Sequence, residues 1–240
     1  MKIIISPAKT VKEGQGQYGS LPQLLARTEQ IRKEVLKKDL YELMEMWGCS
    51  EKIAEVNQKR FAEMNLSENL MCAIERYTGM QYQNLDYSSL SDVQQEYIKD
   101  HVFIVDAFYG LLKPDDGIVT YRMDFHADLQ IEEAANLYAY WKDLPSSLIK
   151  DDVLINLASD EYAKAILPYY KGKVINIRFA RYKNGKLVSA STLAKKARGR
   201  FLRWMAQEGI ENTEHLKLFA CDGFVFEPAA SSETVFTFVV

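Results

Sequence analysis

The sequence predicts a single α+β domain, a mixed α/β chain with a central mixed sheet, and three observations carry that expectation. Residues 2–5 (KIII) and 153–157 (VLINL) are apolar at nearly every position, as in strands covered on both faces. Residues 21–74 show helical periodicity almost throughout, which marks an N-terminal helical region packed on the α/β core. The 240 residues are 48% hydrophobic and contain no low-complexity linker or tandem repeat, so one domain spanning 1–240 can bury a sizeable core.

Taken in order, residues 2–5 form a strand and Ser6-Pro7-Ala8-Lys9-Thr10 the loop at its end, where Lys9 is either a ligand contact or an exposed surface lysine. Residues 11–20 are polar and Gly-rich and read as a mobile loop. Helices are expected over 21–36, 40–47, 51–64 and 67–74, with breaks at Lys38-Asp39, Gly48-Cys49-Ser50 and Asn65. The segment from Met46 to Ala54 has the pattern of a helix-hairpin-helix turn. In such a turn Gly48, Ser50 and Lys52 sit where backbone N–H groups at a helix start can hold a nucleic-acid phosphate. A plain helix–helix turn capped by Ser50 explains the same residues.

Beyond a Tyr-rich connection, a helix is expected over 91–100 and a buried strand or short helix over 101–108. Residues 109–117 carry a strong loop signal. The run 118–123 follows, with Arg122 beside Tyr121 as either an anion contact or a structural ion pair. Helices at 132–141 and 145–150 precede the strand at 153–157. That strand runs into Asn156-Leu157-Ala158-Ser159 and Glu161-Tyr162, a strand-to-helix turn that suits either helix capping or a polar site at the carboxyl edge of a sheet. A strand at 174–182 turns at Asn184-Gly185 into a partner at 187–189, a type-I′ hairpin signal. Helices at 191–205 and 213–218, strands at 224–226 and 235–239, and a loop at 227–233 complete the chain.

Charge is segregated. Residues 171–205 hold eleven Lys or Arg and no Asp or Glu, whereas the rest of the chain carries 19 basic and 33 acidic side chains, for a net charge of −3 overall. Such a segment makes a local positive field that attracts anions. On the helix at 191–205, with Ser191 or Thr192 as N-cap, Lys195, Lys196, Gly199, Arg200 and Arg203 share one side, with Arg198 at its border. Gly199 costs about 1 kcal/mol inside a helix relative to Ala. Its place there lets either a phosphate or a neighbouring backbone come close.

No stretch approaches 18 apolar residues, and the opening apolar run is too short for a signal peptide, so no membrane partner is expected. Cys49, Cys72 and Cys221 lack a CxxC spacing and suggest reduced intracellular thiols in a cytoplasmic protein. A peroxide-sensing cysteine and a buried, incidental one are both compatible with that spacing. His101, His126 and His215 form no ligand motif, so neither a metal nor a cofactor is expected.

Six blocks together resemble the YaaA family of bacterial peroxide-stress resistance proteins. They are Ile5-Ser6-Pro7-Ala8-Lys9-Thr10, Tyr109-Gly110 to Pro114, Tyr121-Arg122, Asn156-Leu157-Ala158-Ser159 with Glu161-Tyr162, Lys183-Asn184-Gly185-Lys186, and Ala194-Lys195-Lys196-Ala197-Arg198-Gly199. The resemblance implies a cytosolic, single-domain mixed α/β fold with a helix-hairpin-helix element and a positively charged cleft. It also implies DNA binding and protection against oxidative damage through lowered intracellular iron.

Two readings of function follow. In the first, DNA, double-stranded or structured and not read by sequence, is held by Lys9, Arg122, Lys195, Lys196, Arg198, Gly199, Arg200 and Arg203, with Gly48, Ser50 and Lys52 as a second grip. In the second, the chain is an enzyme acting on a phosphorylated or nucleotide-like small molecule. Asn156, Ser159, Glu161 and Tyr162 then line a pocket with Lys9, Arg122 and Lys195, and Glu161 is the candidate general base.

Overall fold

The computed structural model describes residues 1–189 and 191–240. β1 (Lys2–Ile5) is followed by α1 (Leu25–Val35), α2 (Leu40–Trp47) and α3 (Glu51–Glu63), then by β2 (Met71–Cys72), α4 (Ala73–Arg76), α5 (Met80–Leu85) and α6 (Asp92–His101). The middle of the chain holds β3 (Val102–Asp106), β4 (Gly110–Leu112), β5 (Gly117–Ile118), α7 (Leu137–Trp141), α8 (Leu144–Ser147), β6 (Val153–Asn156) and α9 (Asp160–Ala163). It closes with β7 (Lys173–Lys183), β8 (Lys186–Val188), α10 (Ser191–Glu208), β9 (Val225–Phe226) and β10 (Val235–Val239).

Among the described residues, eight strands form one mixed sheet in the order β4-β3-β1-β6-β7-β10-β9, with β8 hydrogen-bonded to β7. β3, β1, β6, β7 and β10 run parallel; β4 and β9 are antiparallel at the two ends. The continuous apolar runs occupy the centre, where both faces are covered: Ile3, Ile4 and Ile5 of β1 and Leu154 and Ile155 of β6 have no exposed surface. The chain leaving β1 passes to β3 on one side, and the chain leaving β6 passes to β7 on the other. The two loops therefore diverge and leave a crevice at the carboxyl ends of β1 and β6, the usual ligand position in an open α/β sheet.

α10 is anchored by aromatic packing. Phe201 lies 5.7 Å from Phe179 of β7, 5.3 Å from Phe238 of β10 and 4.8 Å from Phe219, centroid to centroid. Its next layer is α5, and here Gly199 has its explanation. A Cβ at Gly199 would overlap the Gln81 carbonyl oxygen and sit 2.9 Å from Asn84 Cβ, so the glycine admits the neighbouring backbone, not a phosphate.

Several expected elements differ, each for a local reason. The helix expected over 67–74 is interrupted: Asn69 has φ +56°, and Met71 pairs with Ile118 as a strand. The helix expected over 132–141 begins only at Leu137, because Glu132 has φ +52° and Asn136 Oδ1 caps the later start by accepting from Ala139 N–H at 3.0 Å. The loop over 109–117 contains β4 and a turn in which Asp116 accepts from Lys113 N–H at 2.8 Å and from Ser20 Oγ–H at 2.7 Å. The helix over 213–218 is a 3₁₀ turn. Ser191 and Thr192 lie inside α10, and the position before it, Ala190, falls outside the described residues.

The segment expected to be mobile over 11–20 is tied down from inside. Arg76, fully buried, donates to the carbonyls of Lys12 (2.8 Å), Gly14 (2.7 Å), Asn69 (3.2 Å) and Ile118 (3.0 Å). Four carbonyls spread the charge of a guanidinium that no carboxylate within 4 Å offsets among the described residues.

Candidate functional site

The crevice between β1 and β6 is a cavity of about 340 Å³. Its floor is the loop after β1, Ser6 to Thr10, and the loop after β6, with Ser159, Glu161 and Tyr162. The start of α5 supplies Gly79 to Tyr82, and α10 supplies Thr192, Lys195 and Arg198. The two loops are joined by short bonds: Ser6 Oγ accepts from Ser159 N–H at 2.8 Å and lies 3.3 Å from Ser159 Oγ. Ser159 Oγ accepts from the Ser6 hydroxyl on the partner loop, and it makes no side-chain cap to α9. Tyr82 OH donates to the Ser6 carbonyl at 2.9 Å and closes the frame from α5.

Charge around the cavity is unevenly distributed. Lys9 Nζ is 2.7 Å from Asp124 Oδ2. Glu161 Oε1 accepts from Phe125 N–H at 3.0 Å, and its Oε2 is 3.6 Å from His126 Nε2. Burial pushes the Glu161 carboxyl above its ordinary range and the neighbouring Asp124 adds to this; His126, the Phe125 N–H and Lys9 oppose it. Lys195 is exposed at the rim. Arg198 is more enclosed, and burial pulls its guanidinium below the usual value while Asp160 opposes the shift. Among the described residues, two donors in this lining have no partner: Arg198 Nε and the Gln81 Nε2 amide are both buried and unbonded.

Six residues singled out from the sequence therefore meet here: Lys9, Ser159, Glu161, Tyr162, Lys195 and Arg198. Two expected pocket residues do not. Asn156 is used in the sheet, its Nδ2 donating to Asn176 Oδ1 at 2.8 Å and its Oδ1 accepting from Ala158 N–H at 3.0 Å. Arg122 has its backbone held on both sides by the Asn57 amide, at 2.7 and 2.8 Å, and lines a small adjoining cleft that shares Pro7, Ala8, Lys9 and Tyr162 with the cavity. That cleft has Asp106 at its base, fully enclosed, accepting from Tyr77 OH at 2.9 Å and from Phe108 and Tyr109 N–H at 2.8 Å each. Tyr77 OH is in turn 2.7 Å from Tyr121 OH. Burial pushes the Asp106 carboxyl up, against hydrogen bonds from Tyr121, the Tyr109 and Phe108 N–H groups and Tyr77.

The basic segment does not present one face. Ten steps of extended chain place Lys173 and Lys183 roughly 33 Å apart along β7. Arg200 pairs with Asp222 and donates to Asn84 Oδ1 at 3.1 Å. Arg203 Nη1 donates to the carbonyls of Leu85 (2.9 Å) and Asp86 (3.0 Å) and to Ser89 Oγ (2.8 Å). Both arginines, expected from the sequence to contact phosphate, are engaged within the fold and brace α10 against the α5 segment. Exposed, with no carboxylate within 4 Å among the described residues, are Lys171, Lys173 and Arg178 before and along β7, and a closer group of Arg181, Lys183 and Lys186 on the β7–β8 hairpin with Lys195 and Lys196 on α10.

At the helical turn, Gly48 is left-handed with φ +52° and ends α2, and a Cβ there would meet nothing within 4 Å. The glycine is required by the helix stop rather than by close approach. Ser50 precedes α3 without a side-chain cap, and Lys52 is exposed between the acidic residues Glu51 and Glu55. These are the features of a connection between two helices.

Residues 1–230 match the family model described as peroxide stress protein YaaA. The chain belongs to that family. Similar relatives, each described as a UPF0246 protein, occur in Agathobacter rectalis (38% identity, covering 99% of this chain and 98% of the relative), Lactobacillus johnsonii (37%; 99% and 97%) and Ligilactobacillus salivarius (36%; 100% and 99%). Within this YaaA-family chain, no helix of the described residues is long and apolar enough to cross a membrane. Nor do the described residues contain a group of three or more His, Cys, Asp or Glu side chains arranged to hold a metal ion.

Gln81, Arg76 and Asp106 escaped the sequence reading. Gln81 sits in a polar six-residue helix with no periodic signal, and a single buried Arg or Asp among ordinary surface charges has no local mark.

Proposed function

We propose that this peroxide-stress protein acts in the cytoplasm by binding DNA through its phosphates, without reading base sequence. The observation that carries the proposal is the group of exposed, unpaired cations Arg181, Lys183, Lys186, Lys195 and Lys196, with Tyr182 also exposed among them, on a hairpin and helix start that contain no acid. Cations of this kind release counterions from a polyanion, and an exposed aromatic beside them suits an unpaired base. A second grip at Gly48 to Lys52 is weaker in this reading. The uncapped N–H groups at the start of α3 suit a phosphate, but Glu51 in the same turn repels one. Lowered intracellular iron, which the family resemblance implies, is taken as a consequence of that binding in the stressed cell.

The test is electrophoretic mobility of duplex, bubble and single-stranded DNA over a salt series. It compares the wild type with a Lys183→Ala, Lys186→Ala, Lys196→Ala triple variant, whose changes lie outside the cavity. Three lost phosphate contacts should weaken binding and lower the slope of log affinity against log salt by roughly 2 to 3. An unchanged slope in a folded variant removes these residues from the interface.

A further inference from the structure

The crevice contains donors that find no acceptor among the described residues. Gln81 is 7% exposed, its Nε2 amide is buried without a partner, and it lines the cavity. Arg198 Nε is in the same condition in the same lining. A buried donor with no acceptor costs stability, and an acceptor arriving from outside would relieve both of these at once. Lys195 at the rim adds positive charge without a carboxylate within 4 Å among the described residues. The Glu161 end is different, since that carboxylate is turned toward Phe125 N–H and His126 and can accept from a ligand's donor. The cavity of about 340 Å³ thus offers donors and positive charge from α5 and α10 and one acceptor from the loop after β6. Its size falls at the lower end of small-molecule sites.

We infer that the cavity at the carboxyl ends of β1 and β6 binds a single nucleoside monophosphate, its phosphate on Arg198, Lys195 and Gln81 and a donor group of the base or sugar toward Glu161. A phosphate supplies the acceptor oxygens that the two orphaned groups lack. A ligand with an amino or hydroxyl group at its other end satisfies the carboxylate. The assignment does not rest on DNA binding by the surface cations. The nucleotide can be free or everted from a strand, and the chemistry in the cavity is the same.

Isothermal titration of the full chain with deoxyadenosine monophosphate, inorganic phosphate and deoxyadenosine tests it. The monophosphate should bind, deoxyadenosine should bind at least about tenfold more weakly, and Gln81→Leu should weaken the monophosphate roughly tenfold, the effect of one hydrogen bond to a charged group. Circular dichroism and a thermal melt establish that the variant is folded. Should Gln81→Leu not fold, Lys195→Ala at the exposed rim gives the same comparison. No binding of the monophosphate or of phosphate to the wild type overturns the inference, as does equal affinity in a folded variant. Displacement of bound monophosphate by bubble DNA supports an everted nucleotide as the source, and no displacement supports a free one. The Lys183, Lys186 and Lys196 triple variant separates the two proposals: it should lose DNA affinity and keep monophosphate affinity, so either reading can fail alone.

Discussion

Glu161 and Cys72 show how burial sets the chemistry of single side chains. The Glu161 carboxyl has a folded pKa above the ordinary value of 4.5, through burial first and Asp124 second. A group shifted upward contributes its stability below the unfolded pKa and loses it as pH rises through the folded pKa. Glu161→Gln, whose amide oxygen can still accept from Phe125 N–H, lacks that loss. Its melting temperature relative to wild type should therefore rise between about pH 4 and pH 7, measured by thermal denaturation at several pH values. An offset that does not change with pH would show that the carboxylate is tolerated there. Cys72 has its thiol pushed up to about 11 by burial and by the negative charge of Glu75. The thiolate is the reactive form, so Cys72 should stay unmodified by iodoacetamide at neutral pH while the chain is folded, as read by mass spectrometry. Rapid alkylation of folded protein would restore the peroxide-sensing reading for that residue.

The α5–α10 pair shows what an element-level contact demands. Gly199 costs α10 about 1 kcal/mol of helix propensity, and alanine would recover it in an isolated helix. Against α5 the added methyl meets the Gln81 carbonyl and Asn84 Cβ, and overpacking of this kind costs roughly 1–3 kcal/mol. Gly199→Ala should therefore lower the stability in urea denaturation despite its better propensity. A more stable variant would mean that α5 can withdraw at little cost. Arg200 and Arg203 belong to the same contact. Their guanidinium groups brace α10 against Asn84 and the carbonyls that end α5, so the face that looks basic in a helical projection is partly an internal seam.

For the whole molecule, the sheet order decides where chemistry can sit. β1 lies between β3 and β6, and the chain leaves β1 and β6 in opposite directions, so Ser6 and Ser159 meet although 153 positions separate them. The sequence by itself determined the strands at its centre, because the apolar run Ile3-Ile4-Ile5 fits a strand buried on both faces. It also determined the helical region, the hairpin at Asn184-Gly185, the family, and the loops that carry Lys9, Ser159 and Glu161. These are local signals, written in neighbouring residues. Tertiary structure alone decided that Asn156 serves the sheet, that Arg122 lines the small cleft adjoining the cavity, and that Arg200 and Arg203 are bound to α5 and Asp222. It alone decided, too, that Gln81 and Arg198 share one cavity with unspent donors. The physical reason is that a side chain's partner is chosen by packing between distant segments. Charge and polarity along the chain record which groups need partners, and only the folded arrangement records which of them have found one.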